Sequence, residues 1–574
     1  MAGGVMAQGM RVTRAAPSLR RFLPTFLLAA ALLAPAVDGQ TAPDSLTPVC
    51  APVAGGGSAT TAQPTLLVTL FDRWHEAWLG SPAVADLTGD GTREILAARD
   101  EKLLGWRIVG GSGVIVFDET APAGRIWSSP VVADLVPGSP GLEVAAASRA
   151  TLHLWSAAGN PLAGFPVSWR DELRSLAAGE IDGDAALELV VATTSRLEAN
   201  GQRDLLMAYD VTGAVVAGFP PNTTGASGCV TDCNITGGFD QNLALGDLDG
   251  DGVADIVAPH DNAYLSIHDQ EGFMHDAAPV YPVDDKVAGI RFLFDLALAQ
   301  QGFPSNPPVD NQAHFTNSAP AIADLDGDGT NELVLLGSAQ NASQTDRLRG
   351  VGLWLLGYDG ARKPGWEAPL HLSAYLSGLW DPGGNIVGIT NQVSIGDLDP
   401  PSLGLEIVFA GFDGRIYAVR RNRTIAWSYA YTNDASVMTG GVALADLSGD
   451  GRPEVIFNTY STDNGEGKLI VLGPNGALQR EVTLPDRGAM PVPTVADADG
   501  NGTLEIVVSL KDGVDHVRQL LVYTVPGSAE NCLPWPTGRG NYLRNGFSAY
   551  LPADPLFADG FASGTLAAWS ASAP

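Results

Sequence analysis

A short apolar run, an acidic glycine-rich break and a second run rich in Ile, Leu and Val recur eight times along this chain. The phrase reads SPAVADLTGDGTREILAA from Ser81, SSPVVADLVPGSPGLEVAAA from Ser128, SLAAGEIDGDAALELVVA from Ser175 and NLALGDLDGDGVADIVAP from Asn242. It returns as SAPAIADLDGDGTNELVLL from Ser318, QVSIGDLDPPSLGLEIVFA from Gln392, GGVALADLSGDGRPEVIFN from Gly440 and PVPTVADADGNGTLEIVVS from Pro491. Each copy predicts two short buried strands joined by a tight turn. Weaker strand patterns follow, such as TLHLWSAAG and PLAGFPVSW after the second copy, which brings the unit to about four strands. The leading acids are Asp86, Asp134, Glu180, Asp247, Asp324, Asp397, Asp446 and Asp497, and the shorter intervals between them run from 46 to 51 positions, as with the 48 between Asp86 and Asp134. That period matches a four-stranded propeller blade of roughly 40–50 residues. The predicted fold is therefore all-β, a β-propeller over residues 65–547 with eight four-stranded blades, seven being the alternative.

A blade buries its faces on its neighbours, so the ring must close. TLLVTLFDRW, from Thr65, sits where other units place their fourth strand and would complete the last blade; LPWPTGRGNYLRNGF, from Leu533, is the alternative outer strand. The longer intervals hold insertions at 221–240 and at DDKVAGIRFLFDLALAQQ from Asp284. In the latter, Val287, Ile290, Phe294 and Ala297 recur at helical spacing, which predicts a short helix near 284–301 packed over one face. Residues 37–64 read as an N-terminal linker and 548–574 as a flexible, small-residue tail.

The first 36 residues read as a cleaved export signal: Arg11, Arg14, Arg20 and Arg21 precede an apolar run at 22–33, and Ala34-Pro35-Ala36 supplies an A-x-A site. The run is too short, and too interrupted by Pro24, to span a membrane. A secreted or cell-surface location follows. It suits the four cysteines: Cys229 and Cys233 are spaced as a local loop staple, leaving Cys50 to bridge to Cys532 beside the closure seam. With 64 acidic against 33 basic residues the formal charge is −31, which disfavours nucleic acid and anionic lipid and favours cations.

The acids cluster in the turns. In the fourth unit Asp247, Asp249 and Asp251 stand at relative positions 1, 3 and 5, Gly252 at 6 and Asp255 at 9, an opening like that of an EF-hand loop. Asp247, Asp249, Asp251 and Asp255 are expected as side-chain ligands, with the Val253 carbonyl at position 7. Four carboxylates within about 5 Å repel by roughly a kcal/mol or more per pair even in a polar setting, and a divalent cation turns that repulsion into folding energy. Hard oxygen ligands on a flexible loop favour calcium.

The fifth unit repeats the set with Asp324, Asp326, Asp328, Thr330 and Glu332, and the eighth with Asp497, Asp499, Asn501, Thr503 and Glu505. Hydroxyls replace the position-3 acid in the first unit (Asp86, Thr88, Asp90, Thr92, Glu94) and the seventh (Asp446, Ser448, Asp450, Arg452, Glu454). The third has Glu180, Asp182, Asp184, Ala186 and Glu188. About six calcium sites are expected. In the second and sixth units Val136-Pro137-Gly138 and Pro400-Pro401 interrupt the pattern and shift Glu143 and Glu406 by one, so no calcium is expected there; Pro and Gly preset such turns unaided.

The phrase ADLDGDGTNELVLL, from Ala323, resembles the FG-GAP or VCBS repeat of integrin alpha-subunit propellers and many exported bacterial proteins, over roughly residues 65–530. The resemblance implies a seven- or eight-bladed propeller with the acidic loop between the first two strands of each blade. It specifies fold and calcium far more than activity. The leading functional expectation is a non-catalytic adhesion or recognition module for an extracellular glycan or protein. No G-x-S-x-G, H-E-x-x-H or phosphate-binding glycine motif is present. The runner-up is a calcium-dependent polysaccharide-degrading enzyme similar to rhamnogalacturonan lyases, with His260, His314, Arg291 and Trp380 as candidate loop residues. A quinone-dependent dehydrogenase, suggested only by PWPTGRGNYLRNG, is weaker. Trp106, Trp155 and Trp354 are expected to pack between blades.

Overall fold

Each of the eight phrases folds as an antiparallel pair whose register sets the residue before the leading acid opposite the closing acid: Ala85 faces Glu94, Ala323 faces Glu332 and Ala496 faces Glu505. The computed structural model describes residues 50–548 apart from 73–75, 171, 185, 195–203, 230–232, 239–241, 303–310, 317, 342–347, 378–390, 400–403, 463–464, 466 and 513–518. The expected signal peptide, the first part of the linker and all of the tail beyond Ser548 lie outside the described residues.

The pairs grow into the eight sheets of a β-propeller. Blade 1 holds Ala83–Ala85, Glu94–Arg99, Lys102–Val109 and Ser112–Thr120. Blade 7 repeats the order with Ala443–Ala445, Glu454–Asn458, Lys468–Leu472 and Leu478–Thr483. In blades 3 and 4 three regular strands are followed by single bridges, Tyr209 to Val215 and His268 to Met274, at the outer position. The second strand of each blade, such as Glu94–Arg99 or Glu188–Thr193, is buried at every residue, because neighbouring blades cover both faces. Its sequence is accordingly a continuous apolar run after the first acid. Outer strands alternate, as in Leu478–Thr483, because one face meets solvent. Trp106, Trp155 and Trp354 are all at most 2% exposed, packed as the sequence implied.

The ring closes as the Thr65 pattern predicted. Thr65–Phe71 pairs antiparallel with Gln519–Thr524, from Thr65 opposite Thr524 to Phe71 opposite Gln519, and so forms the outer strand of blade 8. A buried arginine pins this seam: Arg99 of blade 1 bonds Asp72 at the end of the closing strand, and its Nη1 donates to Ser509 Oγ (2.9 Å) and Leu510 O (2.8 Å) of blade 8.

The alternative outer strand, LPWPTGRGNYLRNGF, goes elsewhere. The innermost strand of a blade has one unpaired edge, facing the axis, and residues 532–548 bond to those edges in turn. The amides of Asp446 and Leu444 (blade 7) donate to the carbonyls of Cys532 and Trp535, and Val495 (blade 8) to Pro536. Val132, Ala178, Leu245 and Ile322, from blades 2 to 5, then donate to Tyr542, Leu543, Asn545 and Gly546 at 2.8–3.0 Å. The segment thus fills the hub and satisfies amides that would otherwise be buried and idle.

Two further expectations are corrected. Cys50 and Cys532 are bridged, as are Cys229 and Cys233, but the long bridge lies beside blade 7 rather than at the seam. Cys532 accepts from Asp446, while Val53 and Ser58 donate to Gly449 O and Ser448 O of the same blade. Residues 284–301 form no continuous helix, only a 3-10 turn at Val287–Gly289 and one α-turn at Leu296–Ala299. Val287 and Ile290 are buried as the spacing implied, but Phe294 is half-buried and Ala297 is exposed. The apolar spacing reflects an irregular strap packed on blades 4 and 5.

Candidate metal sites in the acidic loops

Strand register alone assembles these loops. The closing acid is the first residue of the second strand, so its carboxylate reaches back across the turn. In all eight blades one of its oxygens accepts the amide at position 2: Leu87 to Glu94 (2.9 Å), Leu248 to Asp255 (2.8 Å), Leu325 to Glu332 (3.0 Å) and Ala498 to Glu505 (2.8 Å) are four. The other four are Leu135 to Glu143, Ile181 to Glu188, Leu398 to Glu406 and Leu447 to Glu454. Blades 2 and 6 therefore keep this acid for the turn itself. In blade 2 the same Glu143 oxygen also takes the Val136 amide at 2.9 Å.

The leading acid ties down the middle of the loop. Asp324 accepts from the amides of Gly327 (2.7 Å), Asp328 (3.1 Å) and Gly329 (2.8 Å); Asp446 takes the same three in blade 7, and Asp497 takes those of Asn501 and Gly502 in blade 8. The position-5 side chain accepts the amide at position 7, as Asp328 does from Thr330 and Asn501 from Thr503. Glycines at positions 4 and 6 adopt positive φ, as at Gly327 (73°) and Gly329 (86°), where a Cβ would be strained.

Which acids converge differs between blades, and in blade 5 Arg421 bonds Asp326 and Lys363 pairs with Glu332. Ligand oxygens within 4.8 Å of one another come from Glu180, Asp182 and Glu188 in blade 3, Asp247, Asp249 and Asp251 in blade 4, Asp324, Asp326 and Glu332 in blade 5, and Asp497, Asp499 and Glu505 in blade 8. These donor sets are oxygen-only and partly exposed, which fits a hard divalent ion. Blade 4 adds a nitrogen: His275 Nε2 lies 2.5 Å from Asp255 Oδ1 and joins a second cluster with Asp249. Burial opposes protonation of His275, but Asp255 outweighs it and raises the imidazole pKa.

Blade 1 is built differently. Arg107, on the third strand, bonds Glu94 through Nε, stands 3.0 Å from Asp90 and donates to Thr88 Oγ1 at 3.3 Å. A guanidinium thus occupies the space between three expected ligands. In blade 7, residues 51–58 cover the loop, and Asn531 Nδ2 donates to Asp446 Oδ2 at 2.7 Å.

Burial raises several of the closing acids. Burial pushes Glu188 and Glu454 to about 8, with neighbouring loop acids adding to it, and Glu505 to about 7. Glu332 is raised by burial too, against the pull of Lys363, whose Nζ is 3.0 Å from it. Such carboxylates gain most from a nearby cation.

The residues weighed for catalysis are occupied in packing. His260 is fully buried between Asn234 O and Ser266 Oγ, and burial pulls its pKa to about 3. His314 and Thr316 are 2.6 Å apart, and Arg291 is spent on Gln312. Trp380 lies outside the described residues. At the strand ends opposite the acidic loops the structure shows a stack that no local pattern marked. Lys511 Nζ lies 3.6 Å from the Trp78 ring centre, Arg125 3.8 Å from the same ring, and Arg174 3.9 Å over Trp127. With Lys511 and Arg125 both on Trp78 and both paired with Glu76, the stack joins blade 8 to blades 1, 2 and 3.

The sequence matches no protein-family profile and no curated protein. Among solved structures it is similar in fold to the biofilm matrix protein Bap1 of V. cholerae, with 13% identity, 85% of this chain and 96% of that one covered, and a TM-score of 0.39. The rhamnogalacturonan lyase PL11 of Bacillus licheniformis gives 12% identity over 83% and 97%, with a TM-score of 0.36. The quinohemoprotein alcohol dehydrogenase of Comamonas testosteroni gives 11% over 82% and 77%, at 0.46. At such values they speak to the fold alone. No helix among the described residues is long and apolar enough to cross a membrane.

Proposed function

We propose that this chain is an exported, calcium-braced propeller of the FG-GAP/VCBS type that serves as a non-catalytic adhesion or recognition module for an extracellular glycan or protein. The observation that carries the calcium reading is the convergence of carboxylate oxygens to within 4.8 Å in blades 3, 4, 5 and 8, on loops their own backbone holds open. Calcium at these four loops neutralises crowded acids and locks the hairpin that begins each blade. Arg107 supplies the positive charge in blade 1. Two disulfides support an oxidising, extracellular setting. The recognition role is supported by the engagement in packing of His260, His314 and Arg291, three of the four residues weighed for chemistry.

The test pairs metal analysis with a functional screen. Bound calcium is measured on the purified chain, and glycan and matrix-protein arrays are probed with and without chelator beside a polysaccharide-cleavage assay. Calcium-dependent capture without cleavage supports the proposal. Release of unsaturated sugars overturns the non-catalytic part, and a metal-free chain indifferent to calcium overturns the rest.

A further inference from the structure

The hub segment carries two arginines, Arg539 and Arg544, each 1% exposed. Arg544 is fully engaged. Its Nε donates to Pro130 O (2.9 Å), Nη1 to Thr537 Oγ1 and Gly538 O (2.9 Å each), and Nη2 to Ser81 O (3.2 Å) and Pro82 O (2.9 Å). Those oxygens spread its charge over blades 1 and 2 and the hub itself.

Arg539 is not. Its Nη2 reaches Leu243 O (2.5 Å) and Pro320 O (2.7 Å), between blades 4 and 5, but Nε and Nη1 are buried and meet no acceptor among the described residues. A second idle donor belongs to the same segment. The indole N–H of Trp535 is buried without a partner, and the Trp535 ring packs against Gly540, the residue after Arg539, where a Cβ would stand 3.2 Å from ring carbons. No acidic side chain acts on Arg539: burial alone lowers its pKa, to about 9, which leaves it charged at neutral pH. A buried guanidinium with idle donors and no counter-charge is strongly disfavoured. Among the described residues no acidic side chain is paired with Arg539.

We propose that Arg539 holds a small monovalent anion, chloride-sized, in the hub of the propeller, accepting from Nη1, whose N–H groups are idle and point away from the Nε–H. One negative charge balances the one guanidinium that carbonyl oxygens leave unmatched. The two carbonyls already on Nη2 would repel a larger or more highly charged anion.

The full-length secreted chain is prepared with bromide in place of chloride, crystallised, and measured at the bromine absorption edge. One anomalous peak within hydrogen-bond distance of Arg539 Nη1 supports the proposal. A water there, or a carboxylate supplied by residues 549–574, overturns it. In solution, thermal unfolding is compared in sodium chloride and sodium gluconate at equal ionic strength and fixed calcium. A saturable upward shift in chloride is expected, retained by a chain ending at Ser548 and lost in Arg539→Met. Should Arg539→Met fail to fold, Arg539→Lys, which keeps the charge but loses the fork, is expected to show a weakened chloride shift. Equal midpoints in the two salts for the unaltered chain overturn the proposal.

Discussion

Arg107 reaches from the third strand of blade 1 across to Glu94 on the second and stands 3.0 Å from Asp90, so the first acidic loop contains its own cation. The pairing follows from register: Ile95 faces Trp106, which brings Arg107 alongside Glu94. Replacing Arg107 with Met should cost roughly 1–3 kcal/mol without calcium, since the buried Glu94 carboxylate loses its partner. Calcium should restore most of it. The check is bound calcium per chain: one more ion in the variant than in the parent is expected, and an unchanged count contradicts the built-in cation.

Chelation should lower the melting temperature, because an ion that binds only the folded loop adds about 2.7 kcal/mol at 100 times its Kd. Asp326→Ala and Asp499→Ala should each remove one calcium by atomic emission, whereas Asp134→Ala should remove none. Loss of an ion on changing Asp134 would break the link between loop pattern and metal.

Blade 6 offers a pH test apart from the proposed calcium loops. Burial pushes Glu406 from 4.5 to about 7, while the Leu398 amide pulls the other way. A raised folded pKa means its stabilising contribution is complete below about 4.5 and is lost as pH rises through about 7. In chelator, Glu406→Gln keeps the acceptor for Leu398 and should flatten that part of the pH–stability curve. On the order of 3 kcal/mol relative to the parent is expected at pH 8. Parallel curves for the two proteins would refute the buried-acid account.

The two disulfides should differ in weight. Cys50 and Cys532 are separated by 482 positions, Cys229 and Cys233 by 4. Cys50→Ser should cost about 2–5 kcal/mol in denaturant unfolding, and Cys229→Ser much less. Equal losses would mean that restriction of the unfolded chain is not what the long bridge contributes.

The blades were legible because a buried strand needs a run of apolar residues and its turn needs Asp and Gly, both local demands. Thr65–Phe71 could be placed because it carries the strand pattern without a partner nearby in sequence. Arg107 could not, since its role depends on a cross-strand register that no spacing displays. The place of the hub segment, weighed only as an alternative outer strand, was hidden for a related reason: Trp535, Arg539 and Arg544 have neither strand nor helix period, and their partners belong to other blades. At 284–301 an apolar spacing suited to a helix was produced by a strap that buries Val287 and Ile290 with almost no helical turn.

A propeller whose centre is filled by residues 532–548 cannot be shortened from that end as though trimming a fringe. A nonsense codon ahead of Cys532 would strip the inner rims of at least six blades of their amide partners at once, along with the long cross-link. Such a product should be a substrate for quality-control proteases rather than a smaller working wheel, and tags or fusions are better tolerated beyond Ser548 than anywhere inside the spindle.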